Sequence, residues 1–384
     1  MLGTLSGLEI LPQSRAATSD AEFALVRQGA EARLVVLAEP ETLAGFEGDC
    51  SEYAGRSLLL GPTNRHNAAA LRCSLPWLKP RLLGLRTSAG MGDRMGLATP
   101  GHVRAMRALE GQIAPIFAQQ SIREMSRTDR SPQQVMDDAM WGVFQEGWHE
   151  GAGADADHLK TAADIDACVA CGYTLYTLDP GEYVDNEADA ASMAHLRAAV
   201  EALPWAQLED DFRALMGRYL HRPFEVEGST IRFEEQTILR AATKYGRALA
   251  HISAMYRHLT QAAGNRSFEL EVSVDETETP TTHAEHIYLA LELKRLGVRW
   301  VSLAPRYVGQ FEKGVDYIGD VAVFEADLAV HAAIAPAWAI QAEHPLRFRQ
   351  IQHLPGHDAP DARPGSPEDG WHQLPGSPAH DRPA

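Results

Sequence analysis

The residues best suited to chemistry are grouped in one short segment, GADADHLK, which contains Asp155, Asp157, His158 and Lys160. A carboxylate can act as a general base, an imidazole can bind a divalent metal ion, and an ammonium group can pair with a substrate carboxylate. The segment ends a predicted strand, where side chains can face a pocket. The alternative is that His158 caps the next helix and the acids are solvated, but Lys160 favours an active site.

A second acidic segment, FELEVSVDE, alternates polar and apolar residues. Glu269, Glu271, Ser273 and Asp275 therefore share one face of a predicted strand. Burying polar side chains inside a barrel costs free energy, so a polar layer there is more typical of a functional site than of a core. We therefore predict that Glu271 and Asp275 line a pocket. The alternative is an edge strand whose acidic face is solvated.

Three single arginines, Arg86, Arg123 and Arg306, lie in predicted loops. Each alone is more typical of a surface position, but together they could hold an anion.

The elements that must position these residues alternate along the chain as strand, loop and helix. This pattern predicts an α/β fold with a parallel sheet, and the number of units favours a TIM-like (β/α)8 barrel. The predicted strands are 81–90, 112–121, 151–159, 173–179, 267–276 and 299–305. The candidate site residues fall at their carboxyl ends, where such barrels have their active sites.

The predicted organisation has three parts. Residues 1–80 form an N-terminal α/β segment, residues 81–335 form the barrel with a helical insertion at about 187–265, and residues 336–384 form a disordered tail rich in Pro, His, Gly and Asp.

The composition excludes some partners. The formal net charge of -17 argues against nucleic acid and anionic membranes, which require clustered Lys and Arg. No apolar run reaches the length of a transmembrane helix, and the first residues lack the basic start and apolar core of a signal peptide. We therefore predict a cytoplasmic protein with a small-molecule substrate.

Several long strings resemble the tagaturonate/fructuronate epimerases over roughly residues 55–335: GPTNRHNAAALRCSLPWLKP, GLRTSAGMGDRMGLATPGHVRA, DDAMWGVFQEG, GADADHLK and EVSVDETETPT. The resemblance implies a metal-dependent TIM-like barrel that interconverts two hexuronate ketoses. It further implies that Asp157 is the proton acceptor, His158 a ligand of a divalent metal cation and Glu271 the proton donor.

The substrate implied by the resemblance is a hexuronate. Its carboxylate needs a cation, and we predict Lys160, Arg86 and Arg306 for this role. The inverted carbon is β to the ketone, so reversible retro-aldol cleavage and other proton-transfer routes both remain open. Other possible functions are a different metal-dependent sugar isomerase or aldolase, or an inactive barrel fragment that binds sugar or metal.

The tail suggests a frameshift near Ala335. When residues 337–358 are back-translated and read one base later, permitted codons give PGPYKLSIHSGSDKFSIYPAM, and residues 364–382 give PVHLKTAGTSYLEALRTI. These segments contain the family strings HSGSDKF and KTAGTSYLEA and would supply the last two barrel strands. The His of HSGSDKF is a further metal ligand in the family, and the translated chain lacks it. The resulting expectation is an incomplete barrel with impaired activity.

Sequencing the gene tests the frameshift. We expect the shifted frame to encode both segments, without a stop codon between them. A gene whose shifted frame encodes neither segment would contradict the hypothesis.

Overall fold

The computed structural model describes residues 8–226, 229–311 and 315–338. The predicted disordered and frameshifted tail, residues 336–384, lies outside these ranges apart from its first residues. The last helix ends at Trp338, the third residue of that predicted tail.

The N-terminal part of the chain forms an antiparallel sheet. Within the described residues its strands are β1 (Glu9–Ile10), β2 (Ala16–Ala17), β3 (Ala21–Gln28), β4 (Glu31–Ala38), β5 (Asp49–Tyr53) and β6 (Arg56–Pro62). Their order is β1-β3-β4-β6-β5, and β2 pairs with β3.

The other strands follow in chain order: β7 (Ser88–Gly90), β8 (Ala114–Ser121), β9 (Gly153–Leu159), β10 (Leu175–Leu178), β11 (Pro223–Val226), β12 (Ser229–Arg232), β13 (Glu269–Val274) and β14 (Ser302–Pro305). Six of these described strands form one parallel sheet in the order β7-β8-β9-β10-β13-β14. This sheet is a curled half-barrel, and β11 and β12 pair as a separate hairpin.

The helices are α1 (Pro40–Leu43), α2 (Arg65–Ser74), α3 (Thr99–Arg107), α4 (Ile122–Arg127), α5 (Pro132–Gln145), α6 (Ala162–Cys171), α7 (Met193–Glu201), α8 (Trp205–Leu208), α9 (Phe212–Tyr219), α10 (Glu235–Ala263), α11 (His283–Arg295) and α12 (Val321–Trp338). Ser131 caps α5 in a capping box, with Pro132 at the first helical position, as such a sequence predicts. Among the described helices, none is long and apolar enough to cross a membrane.

The six parallel strands match the predicted ones, with one large difference in length. The strand predicted at 81–90 is only Ser88–Gly90. Ahead of it the chain turns at Gly84, which has a left-handed φ of 60° and donates its N–H to the Glu269 carboxylate at the start of β13. This turn keeps the residues before Ser88 out of the sheet.

One core joins the two sheets and the helices. Apolar residues of β3 and β4 belong to the same buried cluster as those on the helix-facing side of the half-barrel, including Ala156 and Leu159 of β9. Hence the side chains of β9 that point away from the helices face the inside of the half-barrel.

A buried ion cluster connects the insertion between β10 and β13 to the segment after β13. The fully buried ammonium group of Lys244, on α10, lies 3.3 Å from Asp189 Oδ2 and 3.4 Å from Glu285 Oε2, and donates to Thr279 Oγ1 at 2.9 Å. Burial raises the pKa of Glu285, and Lys244 opposes this effect. The cluster holds α10, α11 and the intervening chain together.

We expect Lys244→Met to lower the free energy of unfolding by about 3–5 kcal/mol, because it leaves the buried carboxylate of Glu285 and the partly exposed carboxylate of Asp189 without their shared cation. Urea unfolding followed by circular dichroism measures the change. The control is Lys294→Met, which removes an exposed lysine of α11. Equal stabilities of the two variants would contradict the assigned importance of the cluster.

Candidate active site

An irregularity in β9 determines how the two central residues are oriented. β9 pairs with β10 as Ala156↔Tyr176 and then as Leu159↔Leu178, so Asp157 and His158 together lie opposite one residue of β10. This is a β-bulge, in which one strand carries an extra residue. His158 has a left-handed φ of 55°, which is unusual for a residue with a side chain.

The bulge lets adjacent residues face the same side. In a regular strand Asp157 and His158 would point to opposite faces, and Ala156 and Leu159 are both anchored in the helix-facing core. Instead Nδ1 of His158 donates to Oδ1 of Asp157 at 2.8 Å, and both side chains are about one fifth exposed, at 23% and 21%. Side chains at a functional site are often directed by such bulges.

His158 does not cap the following helix. The N-cap of α6 is Thr161, whose hydroxyl accepts from the N–H of Asp164 in a capping box. The structure therefore removes the helix-capping alternative for His158.

The free edge of the His158 ring faces carboxylates from two other strand ends. Its Nε2 is buried, makes no hydrogen bond to the described part of the chain, and lies 3.8 Å from Oε1 of Glu276. Three ligand atoms, one from each of His158, Asp179 and Glu276, lie within 4.8 Å of one another. An imidazole nitrogen with two carboxylate oxygens fits a divalent cation.

The electrostatics of this site favour positive charge. Burial acts to lower the pKa of His158, but the hydrogen bond to Asp157 and the charges of Asp157, Asp275 and Asp179 outweigh it and raise the pKa to about 10. The carboxylates therefore stabilise either a proton on the ring or a cation beside it.

Below this group, a polar layer crosses the inner face of the half-barrel. Asp155 accepts hydrogen bonds from Gln119 at 3.2 Å and from Thr177 at 3.0 Å. Thr177 pairs in register with Glu271 on β13, which is half-buried. Since Thr177 is also the residue opposite the bulge, Asp157 and Glu271 lie at similar heights on strands separated by β10.

Two of the predicted cations lie at the carboxyl ends of the strands. Nζ of Lys160 is 3.4 Å from Asp179 Oδ2 and 4.0 Å from Glu182 Oε1. Arg306 directly follows β14, and its guanidinium donates to the carbonyl of Thr277 in the segment after β13.

Arg86 is placed differently from the prediction. It precedes β7 and lines a small pocket with Leu175 and Glu269, the first residues of β10 and β13. The prediction that Arg86 lies at the carboxyl ends of the strands is therefore wrong, because the turn at Gly84 shortens the strand. Arg123 at the start of α4 lies instead near the site, 3.4 Å from Glu276.

Glu276 was missed in the sequence, although it directly follows Asp275 in VDETE. Period-two alternation assigns position 276 to the opposite face from Asp275, but β13 ends at Val274 and the alternation no longer applies. No strand pattern could have identified it.

Comparisons with known proteins give the family. The family model described as tagaturonate epimerase matches residues 11–341. This chain belongs to the tagaturonate epimerase family. It is similar to the tagaturonate/fructuronate epimerase of Thermotoga maritima, with 40% identity over 331 residues that cover 86% of this chain and 66% of that relative.

Solved structures of this family have the same fold. The native crystal structure of the fructuronate-tagaturonate epimerase from Cohnella laeviribosi has a TM-score of 0.78 and 37% identity, covering 86% of this chain and 65% of that one. The complex of that epimerase with two glycerol molecules has a TM-score of 0.79 and 36% identity, covering 89% and 67%. The chain thus spans about two thirds of the length of these relatives.

The bulge makes a stability prediction at His158. Because a side chain at a left-handed φ costs roughly 1–2 kcal/mol, we expect His158→Gly to be more stable than His158→Ala by about 1 kcal/mol. Chemical denaturation of the two variants measures the difference. Asp157, whose φ is not positive, is the control position: Asp157→Ala should be more stable than Asp157→Gly. If the glycine variant were the more stable at both positions, or the alanine variant at both, the bulge would be contradicted.

Proposed function

We propose that this chain interconverts D-tagaturonate and D-fructuronate by acid–base chemistry assisted by a divalent metal ion. The observation that carries the proposal is the bulge in β9. It turns a carboxylate and an imidazole together into the half-barrel, at the height of Glu271 on another strand. The family of the chain is named for this epimerisation.

Asp157 is the proposed proton acceptor. Its Oδ1 accepts the hydrogen bond from His158, so Oδ2 is the oxygen that would take a proton from the substrate hydroxyl. Glu271 is the proposed proton donor. Inversion at carbon requires acid and base on opposite sides of the substrate, and residues of β9 and β13 separated by β10 can provide this.

His158, Asp179 and Glu276 are the proposed holders of the metal ion. When bound, a divalent cation polarises a carbonyl and stabilises negative charge on neighbouring oxygens. Asp157 keeps the ring of His158 in one orientation, as carboxylates near metal-binding histidines commonly do. Asp157 therefore serves two purposes in this proposal, as the base and as the partner of His158.

The hexuronate carboxylate is proposed to bind near Lys160 and Arg306. Both lie at the carboxyl ends of the strands. Lys160 pairs with the carboxylates of Asp179 and Glu182, and Arg306 donates to the carbonyl of Thr277. Arg123, 3.4 Å from Glu276, is the third cation of this proposed group. Arg86 is not part of it, because Arg86 lies at the amino ends of the strands. The cytoplasm remains the predicted compartment.

The test is whether the full chain interconverts tagaturonate and fructuronate, with the reaction followed by NMR. The protein is assayed after chelation and again after Mn²⁺ or Zn²⁺ is added back. Asp157→Asn and Glu271→Gln should each lower kcat by about 10²–10⁴-fold, the usual range for a general acid or base. Glu150→Gln, which changes an exposed carboxylate before the amino end of β9, is the control.

Wild-type activity in both site variants would contradict the assignments. No conversion by the metal-loaded parent would favour the alternative of an inactive sugar- or metal-binding fragment. Conversion of other ketoses alone would favour a different isomerase or aldolase. Running the reaction in D₂O separates the routes: retro-aldol cleavage leaves the inverted carbon without deuterium, whereas direct deprotonation of that carbon introduces it.

A further inference from the structure

A second cluster of metal-ligating side chains lies between α11 and α12. His283 is the first residue of α11, and Asp327 and His331 are one helical turn apart on α12. Residues at this spacing share one face of a helix, so both α12 side chains are directed at α11. Seven positions along the chain separate His283 from Glu276 of the site described above.

The donor atoms of this cluster are close together. Nε2 of His283 lies 2.9 Å from Oδ1 of Asp327, and Nε2 of His331 lies 3.7 Å from Oδ2 of Asp327. One ligand atom from each residue lies within 4.8 Å of the others. Zinc bonds of about 2.0–2.2 Å place tetrahedral ligands at similar separations, so small side-chain rotations suffice.

One of these atoms is buried without a hydrogen bond. His331 is fully buried, and its Nε2 has no hydrogen-bond partner among the residues that the structure describes. Oδ2 of Asp327 is also buried and makes no hydrogen bond to the described residues. Buried polar atoms are nearly always satisfied, so a pair of them directed at each other calls for an explanation. A bound cation satisfies both atoms at once.

The other nitrogen of His331 has the partner that a metal ligand needs. Nδ1 of His331 lies 2.9 Å from Nδ1 of the buried His286. Only one of these nitrogens can carry the proton between them. When His331 donates, its Nε2 has a free lone pair, which is the tautomer that binds metal.

We propose that His283, Asp327 and His331 form a second metal site, suited to Zn²⁺ or a similar transition metal. Two imidazoles and a carboxylate are a common zinc set, and three protein ligands leave one position for water. Water can reach the cluster, since the side chains of His283 and Asp327 are 33% and 16% exposed. The ion fastens α12 to α11 and is separate from the catalytic cation.

The experiment uses full-length His158→Asn protein, in which the proposed catalytic metal site is removed. After chelation, Co²⁺ is titrated and its visible absorption recorded, because a tetrahedral nitrogen and oxygen site gives intense bands. Zn²⁺ should then displace the Co²⁺ and raise the Tm. We expect about one Co²⁺ per chain with this spectrum.

Adding Asp327→Asn or His283→Asn should abolish the spectrum and the zinc-dependent rise in Tm, while adding His195→Asn, an exposed histidine of α7, should leave both unchanged. Histidines also occur among residues 339–384, so the comparison between variants is decisive. Circular dichroism of the metal-free variants confirms that they fold. Absence of the spectrum in His158→Asn protein, or its persistence in both Asp327→Asn and His283→Asn, would overturn the proposal and leave a His–Asp hydrogen bond between helices.

Discussion

The extra residue in β9 is the constraint on which the proposed site depends. On one side of it Ala156 is packed in the helix-facing core, and on the other Leu159 is packed there too. In a regular strand, a single residue separates two side chains that face the same core. Here two residues, Asp157 and His158, lie between Ala156 and Leu159. The chain accommodates them with a left-handed His158, and the hydrogen bond to Asp157 stabilises that conformation. Strain of this kind persists where the surrounding structure fixes both ends.

The inner face of the half-barrel is acidic, and this determines what it can bind. Asp157, Asp179, Asp275 and Glu276 surround one imidazole, in a chain whose formal net charge is -17. Such a group repels a uronate unless a cation is present, so the proposed metal and the rim cations are parts of one arrangement. Lys160 and Arg306 are held in place by Asp179 and by Thr277, which positions their charges at the rim.

Sequence patterns predicted much of this fold because periodicity is a local property. All six parallel strands were placed by their apolar runs. The pair of Asp157 and His158 was found because its residue types are rare together at a strand end. Arg86 was misplaced because the turn at Gly84 depends on a hydrogen bond to Glu269, far away in sequence. The cluster of His283 with Asp327 and His331 arises from packing of two helices, which no local pattern encodes.

The most direct test is a crystal structure of the full chain grown with Mn²⁺, with anomalous diffraction recorded to locate the ion. The account predicts a peak beside Nε2 of His158, with Asp179 and Glu276 among its ligands and with Asp157 on Nδ1 of the same ring. It also predicts a left-handed φ at His158. A regular β9 with the imidazole packed among the outer helices, and no ion at the strand ends, would contradict it.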